Sequence, residues 1–395
     1  MPILLSALTR YHVFDLALQL QKHALLDGLV TAYPKSKLGR YAGLQSAVIS
    51  MPRFAVARKA TLTLDRLIGA GKTSPLHELV YRRFSHAVDA AHRDRNTNVV
   101  YGLSGYMKEL LQSPVRRART TVVDHGSLHI ETEERILRRE CERFGFAPFG
   151  NWQYDWLVRR MDEEFELASH VVCCSELARE TMIEQGVDAS KVVVHRLGVD
   201  LGQFRRLPRH ERPAGSRLRL LFVGAMTPLK GLHYLLSAFS ALPPDTELWL
   251  VGALPTDPVL QAMIDDCLRD TGRLRVIGPV PQGELNEIYN QCDVFVLPSL
   301  SDGWGMVVSQ ALACGLPAVV SSMTGAKELI TPGENGFVVN SGDLDDLADK
   351  LRQALELCRE GHWRNGLEGS ASNIQANSWD DYGNGWAQWL RQIGG

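Results

Sequence analysis

Residues 293–322 read DVFVLPSLSDGWGMVVSQALACGLPAVVSS. The apolar run between Asp293 and Pro298 predicts a strand buried on both faces. A Gly-x-Gly turn at Gly303–Gly305 then opens a short apolar helix over 305–314, and Gly315-Leu316-Pro317 opens a second strand over 316–322. Strand, helix, strand at this spacing is the repeating unit of a parallel sheet covered by helices. Two hydrogen-bonding side chains stand out. Asp302 precedes the glycine turn, and Gln310 follows eight positions later on the helix.

The same rhythm runs outward from this stretch. Strands are expected at 218–224, 246–252 and 273–280, with helices at 230–241, 257–271, 283–291 and 343–358. Nearer the N-terminus, strands are expected at 2–8, 98–105, 119–127, 170–175 and 191–198, and at LVTAYP (29–34). Between them lie helical patterns such as SELARETMIEQG, with Ser175 as its cap and Gly186 as its stop. Residues 40–95 are mostly helical in pattern. The stretch GVDLGQFRRLPRHERPAGSR (198–217) interrupts the alternation with Pro, Gly and charge, which places a linker there. The expected fold is α/β, with two Rossmann-like domains in tandem, 1–205 and 206–376.

Composition agrees with an ordinary soluble globular protein of 395 residues, long enough for two domains or three. The seven cysteines are odd in number and include no C-x-x-C, so neither a zinc site nor a disulfide framework is expected, and a reduced, cytoplasmic setting is. The opening MPILLSALTR lacks a basic region ahead of its apolar run, and no window approaches the ~20 uncharged residues of a membrane helix. Charge is unevenly spread: residues 1–120 hold 18 Lys+Arg against 7 Asp+Glu, and the rest hold 25 against 38. One end is therefore suited to an anionic partner, or two solvated faces of opposite sign attract each other. No nucleic-acid recognition motif is present.

In open α/β sheets ligands sit beyond the carboxyl ends of the strands. The loops expected there are GAMTPLKG (224–231), GALPTD, GPVPQG, SLSDGWG and SMTGAKE. Lys230 stands at a helix start, where its cation does not favour the dipole. Aimed at a diphosphate it has a purpose, and a solvated surface lysine is the alternative.

These residues resemble a known family. VFVLPSLSDGWGMVVSQALACGLPAVVSSMTGAKELI (294–330) looks like the donor-binding block of family 4 retaining glycosyltransferases, the glycosyl transferases group 1, which have the GT-B fold. FVGAMTPLKGLHYLLSAF (222–239) resembles the segment whose lysine grips the donor diphosphate. FELASHVVCCSELARETMIEQGVDASKVVVHRLGVDLGQF (165–204) and RYHVFDLALQLQKHALL (10–26) are similar to the family's N-terminal domain. SWDDYGNGWAQWL (378–390) looks like the final helix, which implies that about 377–395 rejoins the first domain.

The resemblance implies parallel sheets facing across an interdomain cleft and sugar transfer from a nucleotide donor to a glycan, lipid-linked or other hydroxyl acceptor, in polysaccharide or glycoconjugate biosynthesis. It implies a Glu-x7-Glu pair where this chain has Asp302 and Gln310. Asp302 keeps the charge on a shorter arm; Gln310 keeps hydrogen bonding to a ribose without the charge. Ala225 stands where many members have an arginine, and Thr227 offers one neutral hydrogen bond instead. Each lost charged contact costs donor binding about 1–2 kcal/mol. The implied donor site comprises Ala225, Thr227, Lys230, the turn Gly303, Trp304, Gly305, Met306 and Val307, Gln310, and backbone contacts to the base around Gly278 and Val280. His125, at the end of its strand, and Asp302 are the implied catalytic pair. A histidine satisfied by a loop carbonyl is the other reading of His125. Arg10, His12 and His129 are acceptor-side candidates. No metal and no cofactor are implied beyond a UDP- or GDP-linked substrate. Residues 51–72, with five bases and one acid, are a candidate peripheral contact with an anionic membrane at its inner face, or equally an exposed helical hairpin. Two further readings stand beside transfer: a non-catalytic homologue acting as a nucleotide-sugar-binding or partner subunit, and a sugar-nucleotide epimerase.

Overall fold

Apolar runs of three to six residues condense into two parallel sheets, one in each of two units of the chain. The structure is a computed structural model that describes residues 2–68, 70–93, 95, 97–113, 120–147, 155–208, 215–363, 374 and 377–393. The first unit comprises 1–134, 149–197 and 379–395. Its strands are β1 (Ile3–Ala7), β2 (Leu26–Thr31), β3 (Val48–Ser50), β4 (Val99–Leu103), β5 (Thr120–His125), β6 (His170–Cys173) and β7 (Val192–Val194). Among the described residues they lie in the order β3-β2-β1-β4-β5-β6-β7, doubly wound with its switch point between β1 and β4. Every residue of β1 and β4 is buried, as a strand covered on both faces requires.

The connecting helices are α1 (Val13–Lys22), α2 (Pro52–Ile68), α3 (Ala70–Arg93), α4 (Lys108–Leu111), α5 (Ile130–Phe144), α6 (Asp155–Leu167) and α7 (Glu176–Glu184). Helices α2 and α3 form a hairpin between β3 and β4. His77 stitches it, reaching Thr61 Oγ1 at 3.3 Å and Asp65 at 2.8 Å. The final helix, Trp379–Gln392, lies along α1: Lys22 pairs with Asp380, and a Cβ on Gly383 would stand 2.6 Å from Gln19 Cβ. Trp386 is fully buried, stacked on His195 at 4.4 Å and edge-on to Tyr101 at 5.7 Å.

The second unit comprises 135–148 and 198–378. Strands β8 (Leu218–Val223), β9 (Thr246–Val251), β10 (Leu274–Gly278), β11 (Val294–Leu297), β12 (Ala318–Ser321) and β13 (Gly336–Val339) take the order β10-β9-β8-β11-β12-β13. Helices α8 (Leu232–Ser240), α9 (Pro258–Thr271), α10 (Leu285–Gln291), α11 (Met306–Ala313) and α12 (Leu344–Arg359) cover them. The chain passes between units at 197/198, ahead of the expected 205/206. Arg205 N–H donates to Asn286 Oδ1 at 2.9 Å and Leu207 N–H to Asn290 Oδ1 at 2.8 Å, so the start of the expected linker is bound to α10. Residues 209–214 of that linker lie outside the described residues. Residues 135–148 also join this unit, where Glu140 accepts from His233 at 3.0 Å and Tyr234 at 3.1 Å.

Candidate functional site

In the second sheet β8 is hydrogen-bonded to both β9 and β11, so its carboxyl end is the switch point. The loops leaving β8 and β11 meet there backbone to backbone. Gly231 has φ +66°, and a Cβ on it would stand 1.9 Å from the Pro298 carbonyl oxygen; only glycine fits. Leu300 N–H donates to Leu229 O at 2.8 Å and locks the contact. The consequence is that Lys230 Nζ lies 2.6 Å from Asp302 Oδ2, with the two side chains 25% and 17% exposed. Asp302 is itself fixed by its backbone, donating to Met323 O at 3.0 Å and accepting from Gly325 N–H at 2.9 Å.

Gly305, at φ +81°, then turns the chain into α11, and a Cβ there would press on Thr324 Cγ2 at 2.8 Å. The first-turn N–H groups of Met306 and Val307 have no intrahelical carbonyl to bond, as at any helix start. Trp304 lies within this turn. Its ring is buried and Nε1 donates to Ser309 Oγ at 3.1 Å, so it anchors the turn and offers a ligand only its backbone. Gln310 is buried on α11, and its Oε1 accepts from the Tyr289 hydroxyl at 3.0 Å. Ala225 is exposed beside Thr227, whose hydroxyl has no hydrogen bond among the described residues. Gly278 ends β10 and accepts from Gly252 N–H at 2.8 Å; with Val280 it stands two strands, roughly 10 Å, from β8. The structure thus brings Lys230, Asp302 and the start of α11 together, flanked by Thr227 and Gln310.

The first unit treats its candidates differently. His125, expected to present its ring at the end of β5, turns inward. Nδ1 bonds Ser104 Oγ at 2.8 Å, Nε2 donates to Leu128 O at 2.9 Å, and burial pushes its pKa down to about 4. The ring is neutral with both nitrogens occupied, which is the loop-carbonyl alternative. His129 is also buried, with Nδ1 accepting from Glu131 N–H at 3.3 Å and Nε2 3.4 Å from Asp162. His12 sits on the buried Asp124, Nε2 to Oδ2 at 3.0 Å, and the Tyr101 hydroxyl donates to the same oxygen at 2.5 Å. Burial opposes a charge on His12, yet the Asp124 carboxylate, its hydrogen bond and Asp15 together raise the pKa. Arg10 remains exposed, 6.0 and 5.9 Å from the ring centres of Tyr33 and Tyr41. Sequence reasoning missed Tyr101, Asp124 and Tyr289; the adjacent Asp124-His125 at a strand end was the one available signal for the first two. Among the described residues no group of three or more His, Cys, Asp or Glu is arranged to hold a metal ion.

Residues 204–361 match the family model of glycosyl transferases group 1. That match lies wholly within the second unit. The chain is 26% identical over 221 residues to the O-antigen chain mannosyltransferase B of Escherichia coli, covering 53% of this chain and 56% of that protein. It spans about half the length of the curated relatives it matches. Among solved structures it is similar to a sucrose-phosphate synthase from Thermosynechococcus elongatus, with TM-score 0.70 and 17% identity over 100% of this chain and 99% of that one. It is likewise similar to HepE of Anabaena in complex with UDP, with TM-score 0.67 and 18% identity over 99% and 100%. At these identities the likeness shows the fold, and that fold is GT-B.

Proposed function

We propose that the protein is a retaining glycosyltransferase that moves a sugar from a nucleotide donor to a hydroxyl acceptor in polysaccharide or glycoconjugate biosynthesis. The observation that carries this reading is the Lys230–Asp302 pair at the switch point of the second sheet, beside the N-terminus of α11. An ammonium and first-turn N–H groups suit a diphosphate leaving group, and the transition state places its growing charge there. Lys230, Thr227 and the N–H groups of Met306 and Val307 hold that charge, and the diphosphate takes the proton of the incoming hydroxyl on the same face of the sugar. The UDP complex of the similar Anabaena protein supports a uridine nucleotide, and GDP stands beside it. With Lys230 as counter-charge, the residues need no cation for this step.

Arg10 with Tyr33 and Tyr41 is the acceptor-side candidate that remains exposed. Peripheral membrane contact is part of the proposal. Of the ten exposed large apolar side chains among the described residues, six (Val56, Leu62, Leu67, Ile68, Leu76, Leu79) lie on the α2–α3 hairpin, alongside Arg58 and Lys59. Apolar residues among bases suit an anionic leaflet. No helix among the described residues is long and apolar enough to cross a membrane. A second reading, a nucleotide-sugar-binding subunit without turnover, is favoured by one observation: the inward-turned His125.

The test is titration of the protein and of Lys230→Ala with UDP, GDP, ADP and CDP by calorimetry, followed by turnover with the matching sugar nucleotides. One nucleotide binds the wild type and binds Lys230→Ala at least tenfold more weakly. No binding by any of the four removes the donor site, and binding without turnover selects the second reading.

A further inference from the structure

Tyr289 lies in α10 and is 1% exposed, with the rings of Phe204 and Phe295 each 6.0 Å away. Its hydroxyl has one hydrogen-bond partner among the described residues, Gln310. A buried phenol O–H is costly without an acceptor, and burial holds its proton on well above the ordinary range. Of the two ends of an amide, only the oxygen accepts. Tyr289 therefore dictates which way Gln310 faces: Oε1 toward α10, Nε2 at the other end. That Nε2 carries two donor hydrogens and has no partner among the described residues. Gln310 is three and four residues beyond Val307 and Met306, so it shares their helix face.

We propose that Tyr289 is a positioning residue that sets the polarity of the donor site, so that Gln310 offers N–H donors to the ribose hydroxyls of the nucleotide. This rests on the donor reading above. A carboxylate at position 310 would accept from the ribose diol and look the same from both ends. The amide does not, and without Tyr289 it has no reason to hold one orientation. The chain thus carries a ribose contact of reversed sense, with the ribose oxygen accepting, and a second residue to enforce it.

The test measures UDP and GDP against their 2′-deoxy and 3′-deoxy forms by calorimetry. The proteins are wild type, Tyr289→Phe, Gln310→Glu and the double variant. The wild type prefers the ribose form by about five- to tenfold, the worth of one hydrogen bond. Tyr289→Phe loses most of that preference, with little change in affinity for the deoxy form that lacks the bonded hydroxyl. The double variant regains the preference, because a carboxylate needs no orienting. A merely structural role for Tyr289 weakens ribose and deoxy forms alike and is not rescued by Gln310→Glu; that result, or an unchanged preference in Tyr289→Phe, overturns the inference alone. Failure of wild type to bind any of these nucleotides overturns the donor reading and this inference with it.

Discussion

Lys230 and Asp302 neutralise each other at 2.6 Å in a half-buried place. On the proposed donor reading an incoming diphosphate competes for the same ammonium, so that Asp302 opposes nucleotide binding while holding Lys230 in position. Asp302→Asn is expected to bind the nucleoside diphosphate about three- to tenfold more tightly and to lose at least a hundredfold in turnover; parallel calorimetry and initial rates check both halves. Unchanged nucleotide affinity would show that the carboxylate does not compete. At this scale the sequence was informative about the second unit and poor for the first. Lys230 and Asp302 could be placed because loop position at a strand's carboxyl end fixes where a side chain goes, and Gln310 by its helical spacing from the glycine turn. His125 was not, since a ring at a strand end can turn either way. Ser104 and Leu128, distant or bent back in the chain, decide it.

The two loops of the site are held by glycines, and their elements stand or fall on those positions. Gly231→Ala must bear a left-handed backbone, at about 1–2 kcal/mol, and also displace the Pro298 carbonyl it would overlap. Gly305→Ala bears the same backbone term against a side-chain methyl rather than a backbone carbonyl. Gly231→Ala is therefore expected to lower the urea midpoint of the second unit more than Gly305→Ala, and both to weaken nucleotide binding. Equal midpoints for both variants and wild type would show that the loops relax freely. Element type was readable wherever apolar runs were long and bounded by Gly, Pro or Asp. Among the strands the misses were β3 and β13, of three and four residues, at the sheet edges. So short a run carries too little pattern, and pairing with β2 or β12 supplies what local propensity does not. A helical hairpin was one of the two readings of 51–72; the Thr61–His77–Asp65 stitch that holds it is a tertiary contact, which the stretch by itself does not show.

Across the whole molecule, buried neutral histidines are expected to make the first unit acid-labile. His125 and His195 both have their pKa pushed down to about 4 by burial, from an ordinary value near 6.5. Their contribution to stability is complete above pH 6.5 and is lost as pH falls through 4, because the unfolded chain takes up protons that the folded one refuses. His12, with its pKa raised, has the opposite sign and loses its contribution as pH rises past its own titration. His195 Nε2 is buried against Trp386 with no hydrogen-bond partner among the described residues. His195→Phe is therefore expected to keep or raise the melting temperature at pH 7 and to flatten its fall between pH 6.5 and 4, followed by tryptophan fluorescence. A slope identical to wild type would place the acid lability elsewhere.

The return of Trp379–Gln392 to lie along α1 also bears on how the chain is made. The chain makes residues 198–378 of the second unit before it makes the helix Trp379–Gln392 that finishes the first. Until then the faces of Gln19, Tyr101 and His195 lack the helix that covers them. The N-terminal unit, though begun first, is completed last.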